Sequence, residues 1–158
     1  MVVTARTRYE ANVCVLLRRG GRWLLSVRSA EAVYAPGSVG LVGGHVEPEA
    51  GPDVLEHTAR REVAEETGID LSGVELHYLS SALYLSSTGQ PVLTVTFAAE
   101  LAAGVEARLT APDELSAVGW WSAAELAEDP RCAPWVPSLV ADAGALLDRL
   151  AGVDRLRR

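Results

Sequence analysis

The sequence contains no lysine, so all fourteen of its basic residues are arginine. It has no excess of positive charge, since the formal net charge is −7, and no apolar run approaches the roughly 18 residues that span a membrane. Because nucleic-acid-binding domains usually present a basic face, we expect no stable nucleic-acid binding. Because no apolar run is long enough, we expect no membrane insertion. Any side chain that clamps phosphate directly must be arginine, whose planar guanidinium suits phosphate oxygens.

Cysteine is also scarce, with only Cys14 and Cys132 in 158 residues. Two isolated cysteines form no disulfide framework and suit a reducing compartment. Cys14 lies in an apolar run, which predicts a buried strand rather than a redox site. The N-terminus has no basic start followed by an apolar block, which a secretory signal would require. We therefore expect a cytoplasmic protein.

Length and composition predict one domain over residues 1–158, because single domains commonly use roughly 100 to 200 residues. Apolar runs on either side of Gly20 and Gly21 predict an opening β-hairpin, and β-rich runs at 74–85 and 91–101 predict a second. The other predicted elements are a short strand at 38–42, a last strand at 116–122, a short helix at 123–129 and an amphipathic C-terminal helix at about 136–151. This order predicts an α/β fold in which helices pack on a mixed sheet.

Trp120 and Trp121 lie next to each other in the last predicted strand. Because successive strand residues point to opposite faces, one tryptophan is expected in the core and the other on the surface. Stacking of either ring on a nucleobase is the lesser alternative.

A helix is predicted from about Asp53 to Thr67. Asp53 suits the N-cap and follows Pro52, and Glu56 comes three residues later, which is typical of a capping box. Gly68 marks the other end, where a glycine in the left-handed conformation commonly ends a helix.

Glu62, Glu65 and Glu66 project into roughly one quadrant of this helix, because residues three and four apart share a face. Glu65 and Glu66 also occupy the last turn, where the helix dipole disfavours each acid by about 0.3–1 kcal/mol. Arg61 offsets only part of this negative charge. A solvated acidic surface is one interpretation, and a bound divalent cation is the other. Carboxylate oxygens suit magnesium, with manganese as the alternative.

Gly43 and Gly44, followed by REVAEETGI at 61–69, resemble the Nudix box, whose pattern is GX5EX7REUXEEXGU with U an aliphatic residue. The box spans 44–69 in this chain. It departs from the pattern in two ways: the loop after Gly44 is three residues longer, and Asp53 stands where the family has its first glutamate. The insertion precedes the helix and leaves the spacing of its carboxylates unchanged. The resemblance implies the Nudix α/β/α sandwich around a mixed sheet.

By this resemblance the chain is expected to be a hydrolase, a pyrophosphohydrolase that cleaves a nucleoside diphosphate linked to another moiety, such as a nucleoside triphosphate or ADP-ribose. Two alternatives stay open: a non-catalytic Nudix-fold domain that binds a nucleotide for regulation, and an isomerase acting on a prenyl diphosphate. The retained carboxylates favour an enzyme over a regulatory domain, and neither cysteine lies in the context that the isomerases use. Family members commonly pair, so a homodimer is a further expectation.

The resemblance implies a divalent metal ion, magnesium or manganese, and a set of residues that hold it. The expected ligands are the carboxylates of Glu62, Glu65 and Glu66 and the carbonyl group of Gly43. Glu62 and Glu65 also belong to the expected catalytic group, and Glu62 serves either as a ligand or as the general base, since family members differ.

Four further residues are expected at the site. By the resemblance, Arg61 orients a carboxylate through charge-assisted hydrogen bonds. Glu114, on a loop after the box, is a candidate ligand or base, and an exposed loop acid or helix cap is the alternative. Arg28, at the end of the second predicted strand, and Gly44 are the expected substrate contacts, with a solvated arginine as the alternative for Arg28. Asp53 is interpreted as a helix cap more readily than as a metal ligand.

Overall fold

The computed structural model describes residues 7–48 and 51–156. Its elements, in chain order, are β1 (Glu10–Arg19), β2 (Arg22–Arg28), β3 (Val39–Gly40), β4 (Val42–His45), α1 (Val54–Thr67), β5 (His77–Leu85), β6 (Pro91–Glu100), β7 (Leu115–Trp121), α2 (Ala123–Glu128) and α3 (Val136–Leu156). Residues 49 and 50 of the lengthened loop lie outside the described part, as do the outermost residues of the predicted domain. Within the described part, no helix is long and apolar enough to cross a membrane.

The strands form one mixed seven-stranded sheet with β1 near its centre. β1 pairs in parallel with β6 and antiparallel with β2 and β4. β3 and β7 pair with β2, and β5 pairs with β6. Both predicted hairpins are confirmed. The first turns through Gly20 and Gly21, whose φ angles of 54° and 77° are the positive values that a two-residue hairpin turn needs.

The side chains of β1 alternate between two hydrophobic cores, one on each face of the sheet. Val13, Val15 and Leu17 contribute to the core that also contains Val63 of α1. Leu16 contributes to the opposite core, which contains the buried residues Leu126 of α2 and Val136, Val140, Ala143 and Leu147 of α3. Helices therefore cover both faces, and the predicted α/β/α sandwich around a mixed sheet is confirmed.

The start of α1 differs from the predicted capping box. Asp53 precedes the helix with a φ of 54°, and its side chain makes no capping hydrogen bond. A capping side chain reaches the free N–H groups of the first turn from an extended backbone, so left-handed Asp53 does not do so and the prediction is wrong. The other end agrees with expectation, because Gly68 has a φ of 68° and donates its N–H to the Ala64 carbonyl.

Two further elements differ from the prediction. The strand expected at 38–42 is interrupted at Leu41, so β3 pairs with β2 whereas β4 pairs with β1. The C-terminal helix continues to Leu156, past the expected end at about 151.

Trp120 and Trp121 pack against opposite cores and both are half-buried, so the expectation of one surface tryptophan is wrong. Both cores extend as far as β7, which leaves neither face of that strand bare.

Candidate active site

Glu66, in the last turn of α1, is buried, with only 6% of its surface exposed. The N–H of Gly43 on β4 donates a hydrogen bond of 3.3 Å to its Oε2 atom. Gly43 has a φ of 152°, and a Cβ atom there would overlap the carbonyl oxygen of Val13 on the adjacent strand. Glycine at this position therefore allows β4 to lie between β1 and the helix carboxylate.

Gly44 makes an equally close approach to Glu62, one turn earlier on α1. A Cβ atom at Gly44 would overlap the carboxyl group of Glu62, whose side chain is only 12% exposed. The two glycines of the pair thus contact two different carboxylates of the acidic helix. Gly44, predicted as a substrate contact, packs against Glu62.

Arg61 lies among several oxygen atoms at the edge of this group. Its guanidinium is 2.9 Å from a carboxylate oxygen of Glu62 and 3.1 Å from one of Glu65. It also donates a hydrogen bond to the carbonyl oxygen of His45 and lies 3.7 Å from Glu47. Arg61 therefore bridges β4, the following loop and two of the three helix carboxylates.

Burial raises the pKa of Glu66 to about 8, and the charges of Glu62 and Glu114 add to this shift. The Gly43 N–H and the positive charge of Arg28 oppose it. Burial likewise raises the pKa of Glu62, opposed mainly by Arg61. In the metal-free protein these shifts favour the protonated forms of Glu66 and Glu62, and a bound cation would favour their ionised forms.

Arg28 and Glu114, which lie far apart in sequence, belong to neighbouring strand ends. Arg28 ends β2 and pairs in register with Leu115, the first residue of β7. The N–H of Ser29 donates to the Glu114 carbonyl at 2.9 Å, and Arg28 Nε donates to the Tyr34 carbonyl at 2.9 Å. The pairing of β2 with β7 therefore carries one cation and one carboxylate to the site.

The loop before β7 also contacts the end of α1, which the sequence did not predict. Thr110 Oγ1 donates to the Glu65 carbonyl at 2.7 Å, and the Thr110 N–H donates to the Glu66 carbonyl at 3.2 Å. No local pattern identifies Thr110, because a single threonine in a loop has many ordinary roles. The contact depends on the tertiary structure, which places this loop against the end of α1.

Cys14 pairs with Gly43 across β1 and β4. Burial raises its pKa to about 12, with further contributions from Glu66 and Glu62. Its thiol therefore stays protonated at neutral pH in the metal-free protein. Cys14 and Cys132 are both free thiols.

The donor atoms at this site suit a hard cation. Among residues 7–48 and 51–156, no three side chains of His, Cys, Asp or Glu lie together as a ready-made metal cluster. Magnesium does not require one, because it binds through one or two carboxylates and takes its other ligands from water and substrate phosphates. Buried Glu66, with Glu62 beside Gly44 and the more exposed Glu65, meets this requirement.

Asp53 lies at the opposite end of α1 from Glu66. The two residues are thirteen positions apart, which corresponds to about 20 Å along a helix axis at about 1.5 Å per residue. This separation leaves Asp53 remote from Glu66 and agrees with a role outside the carboxylate group.

The structure brings together the other predicted site residues, which are Arg28, Gly43, Gly44, Arg61, Glu62, Glu65, Glu66 and Glu114.

Solved structures of other proteins share this fold. The MutT NUDIX hydrolase from Burkholderia pseudomallei is 23% identical, with a TM-score of 0.69 over 85% of this chain and 98% of its own. The NUDIX domain of Shewanella oneidensis NrtR, solved with ADP ribose, is 22% identical, with a TM-score of 0.72 over 90% of each chain. An Ap4A hydrolase from C. elegans, solved as a binary complex, is 21% identical, with a TM-score of 0.67 over 89% of this chain and 97% of its own.

At these sequence identities the structural similarity shows a shared fold and nothing more. Comparison by sequence with curated proteins yields no match. The sequence profile described as the NUDIX domain, in contrast, matches residues 7–142, which is most of the chain and includes every residue of the site. The chain therefore belongs to the NUDIX family and is a Nudix pyrophosphohydrolase.

Proposed function

We propose that the chain hydrolyses, with a divalent metal ion, the diphosphate linkage of a nucleoside diphosphate joined to another moiety. The observation that carries this proposal is the carboxyl group of Glu66, which is buried at the helix end, accepts a hydrogen bond from the Gly43 N–H and lies within electrostatic reach of Glu62. A helix acid that served only solubility would lie in water. Its burial at the end of a helix is accounted for by a ligand that brings positive charge.

Magnesium is the proposed ion, with manganese as a substitute. Glu65 and Glu66 would hold it, with Glu62 and the carbonyl group of Gly43 as further ligands. When bound, such an ion neutralises charge on the phosphate oxygens and activates a water molecule. Glu65 is accessible for this task, since 57% of its side chain is exposed beside Arg61.

Glu62 and Glu114 are the two proposed acceptors for the proton of the attacking water. Glu62 touches the guanidinium of Arg61, which favours its ionised form against the effect of burial. Glu114 acts on the pKa of both Glu62 and Glu66 from the facing loop. A general base must reach the reacting water while ionised, and both carboxylates border the same group.

Arg28 is the proposed phosphate contact. Its Nε atom donates to the Tyr34 carbonyl oxygen, which fixes the plane of the guanidinium. Among residues 7–48 and 51–156, the two Nη groups have no hydrogen-bond partner and could donate to a ligand. Its positive charge lowers the pKa of Glu66, so the guanidinium lies within electrostatic reach of that carboxyl group. Arginine binds phosphate with paired, charge-assisted hydrogen bonds.

The substrate class rests on the family and on its solved relatives. Because two structural relatives are named for ADP ribose and Ap4A, both compounds belong on the test panel, together with nucleoside triphosphates, their oxidised forms and nucleotide sugars. The finer proposals for the protein are a cytoplasmic location, a homodimer and no stable binding to nucleic acid.

The test is a substrate panel assayed for phosphate and nucleotide release with Mg²⁺, with Mn²⁺ and with EDTA. We expect metal-dependent release that is lost in Glu65→Gln and Glu66→Gln while the variants stay folded. Glu56→Gln, the same change in the first turn of α1, is the matched control and should keep full activity. Tight nucleotide binding without release on any substrate would instead identify a regulatory Nudix domain.

A further inference from the structure

The carbonyl groups in the last turn of α1 have partners outside the helix. A helix leaves its last four carbonyl groups without intrahelical partners, and the Gly68 N–H takes only that of Ala64. The loop between β6 and β7 supplies the next three donors. Arg108 N–H donates to the Thr67 carbonyl at 2.9 Å, and Thr110 donates to the carbonyls of both Glu65 and Glu66.

Thr110 is the member of this loop that uses its side chain for the contact. Its hydroxyl lies 2.7 Å from the Glu65 carbonyl and its N–H lies 3.2 Å from the Glu66 carbonyl. The residue is exposed and belongs to neither hydrophobic core. Packing therefore does not explain the hydroxyl, whereas the two carbonyl groups that it serves belong to the two proposed metal ligands.

The same loop leads directly to Glu114. Glu114 N–H donates to the Ala111 carbonyl at 3.1 Å, which closes a tight turn one residue after Thr110. Ser29 N–H then donates to the Glu114 carbonyl at 2.9 Å. A continuous series of hydrogen bonds thus joins the helix end, the loop carboxylate and the strand end that carries Arg28.

Donors at a helix C-terminus also reduce its negative potential. The last carbonyl groups carry partial negative charge, which disfavours ionised acids in the last turn. A hydroxyl and an N–H aimed at the carbonyls of Glu65 and Glu66 offset part of that charge beneath the two carboxylates. These hydrogen bonds therefore hold the last turn of α1 in place and also favour the ionised forms of Glu65 and Glu66.

We propose that Thr110 is a positioning residue that sets the last turn of α1 against Glu114, so that the carboxylates of Glu65 and Glu66 face a metal ion correctly. The inference rests on the proposed function, because it assigns those carboxylates to a metal. Thr110 touches neither metal nor substrate and acts through the backbone of the ligand residues. Its hydroxyl is the part that a substitution can remove selectively.

The experiment compares Thr110→Val, which removes the hydroxyl and keeps the shape, with Thr110→Ser, which keeps the hydroxyl. The matched control is Thr58→Val, since Thr58 Oγ1 donates to the Val54 carbonyl at 2.8 Å on the same helix, away from the site. Mn²⁺ affinity is measured directly by titration calorimetry, without substrate. Circular dichroism verifies that each variant is folded.

We expect Thr110→Val to weaken Mn²⁺ binding by about three- to tenfold, because supporting contacts around metal ligands have effects of this order or larger. Thr110→Ser and Thr58→Val should bind Mn²⁺ like the wild type. With an active substrate, Thr110→Val should lower kcat at saturating metal and leave KM for the substrate unchanged.

Wild-type affinity in Thr110→Val, or equal weakening in Thr110→Ser, would overturn the inference. Weakened Mn²⁺ binding in Thr110→Val alone, in a protein that hydrolyses nothing on the panel, would support the inference and remove the proposed hydrolysis. Hydrolysis of a panel substrate, together with wild-type Mn²⁺ affinity in Thr110→Val, would support the proposed function and overturn the inference. A wild type that binds no Mn²⁺ would overturn both.

Discussion

Gly43 on β4 donates its N–H to the buried carboxylate of Glu66 on α1, over a distance of 3.3 Å. This hydrogen bond joins the glycine pair to the acidic helix and defines the inner wall of the site. Burial of Glu66 in the protein raises its pKa, and this hydrogen bond opposes the shift.

The metal-free protein should lose stability through Glu66 as the pH rises. The pKa of Glu66 is raised from 4.5 to about 8, chiefly by burial, so between these values the folded state keeps a proton that the unfolded chain has lost. The free energy of unfolding contributed by this group therefore falls across that range and is fully present only below pH 4.5. Glu66→Gln cannot ionise and should escape the loss.

We expect Glu66→Gln to exceed the wild type in stability at pH 8.5 by on the order of 1–4 kcal/mol, and to match it near pH 4.5. Urea unfolding in EDTA at both pH values measures the difference. Glu56→Gln, in the first turn of the same helix, should follow the wild type at both. Parallel pH dependence of Glu66→Gln and wild type would contradict the prediction.

Gly44→Ala should damage the site through Glu62. The new Cβ atom would overlap the Glu62 carboxyl group, and overpacking of this kind costs about 1–3 kcal/mol of stability. The displaced carboxylate should lower kcat by roughly tenfold or more. Gly40→Ala is the control, because a Cβ atom at Gly40 meets nothing within 4 Å. Steady-state kinetics and thermal unfolding of both variants, with Gly40→Ala unaffected, check the prediction.

Arg61→Ala should lower kcat strongly, and Arg61→Lys should restore little of it. The guanidinium contacts Glu62 and Glu65 together with the His45 carbonyl, and a single ammonium group cannot reproduce this planar set of donors. We expect a loss of about tenfold or more in each variant.

Arg60 is the matched control for Arg61, since it neighbours Arg61 on the helix and donates to the backbone carbonyls of Leu71 and Val74. Arg60→Lys should therefore lower thermal stability without changing kcat. Full activity in Arg61→Lys would show that charge alone is needed and would refute the proposed orienting role.

Arg28→Gln should raise KM for the substrate by roughly tenfold, because a charge-assisted contact to phosphate is lost. Arg22→Gln, at the other end of the same strand, removes an arginine that pairs with Glu125 at 2.6 Å and should leave KM unchanged. The measurement is initial rate against substrate concentration at saturating Mg²⁺. A change in kcat without a change in KM would place Arg28 outside the phosphate contact.

The acidic helix and both hairpins were predictable because their signals are local. Gly20 and Gly21 supply the positive φ angles of a hairpin turn, and Gly68 supplies that of a helix end. The start of α1 was not predictable in the same way. The sequence around Asp53 matches a capping box, yet Asp53 adopts a left-handed backbone conformation and its side chain makes no capping hydrogen bond.

Residue order alone predicts that Glu62, Glu65 and Glu66 share a face, since helical spacing is a local property. Their environment depends on contacts between distant segments: the hydrogen bond of Glu66 with Gly43 spans 23 positions, and that of Thr110 with Glu65 spans 45. Which carboxylate is buried, which loop meets the helix end and which arginine faces the site follow from strand pairing and from the packing of α1 on the sheet. Burial and electrostatic potential belong to the folded assembly, because each depends on every group that surrounds the atom.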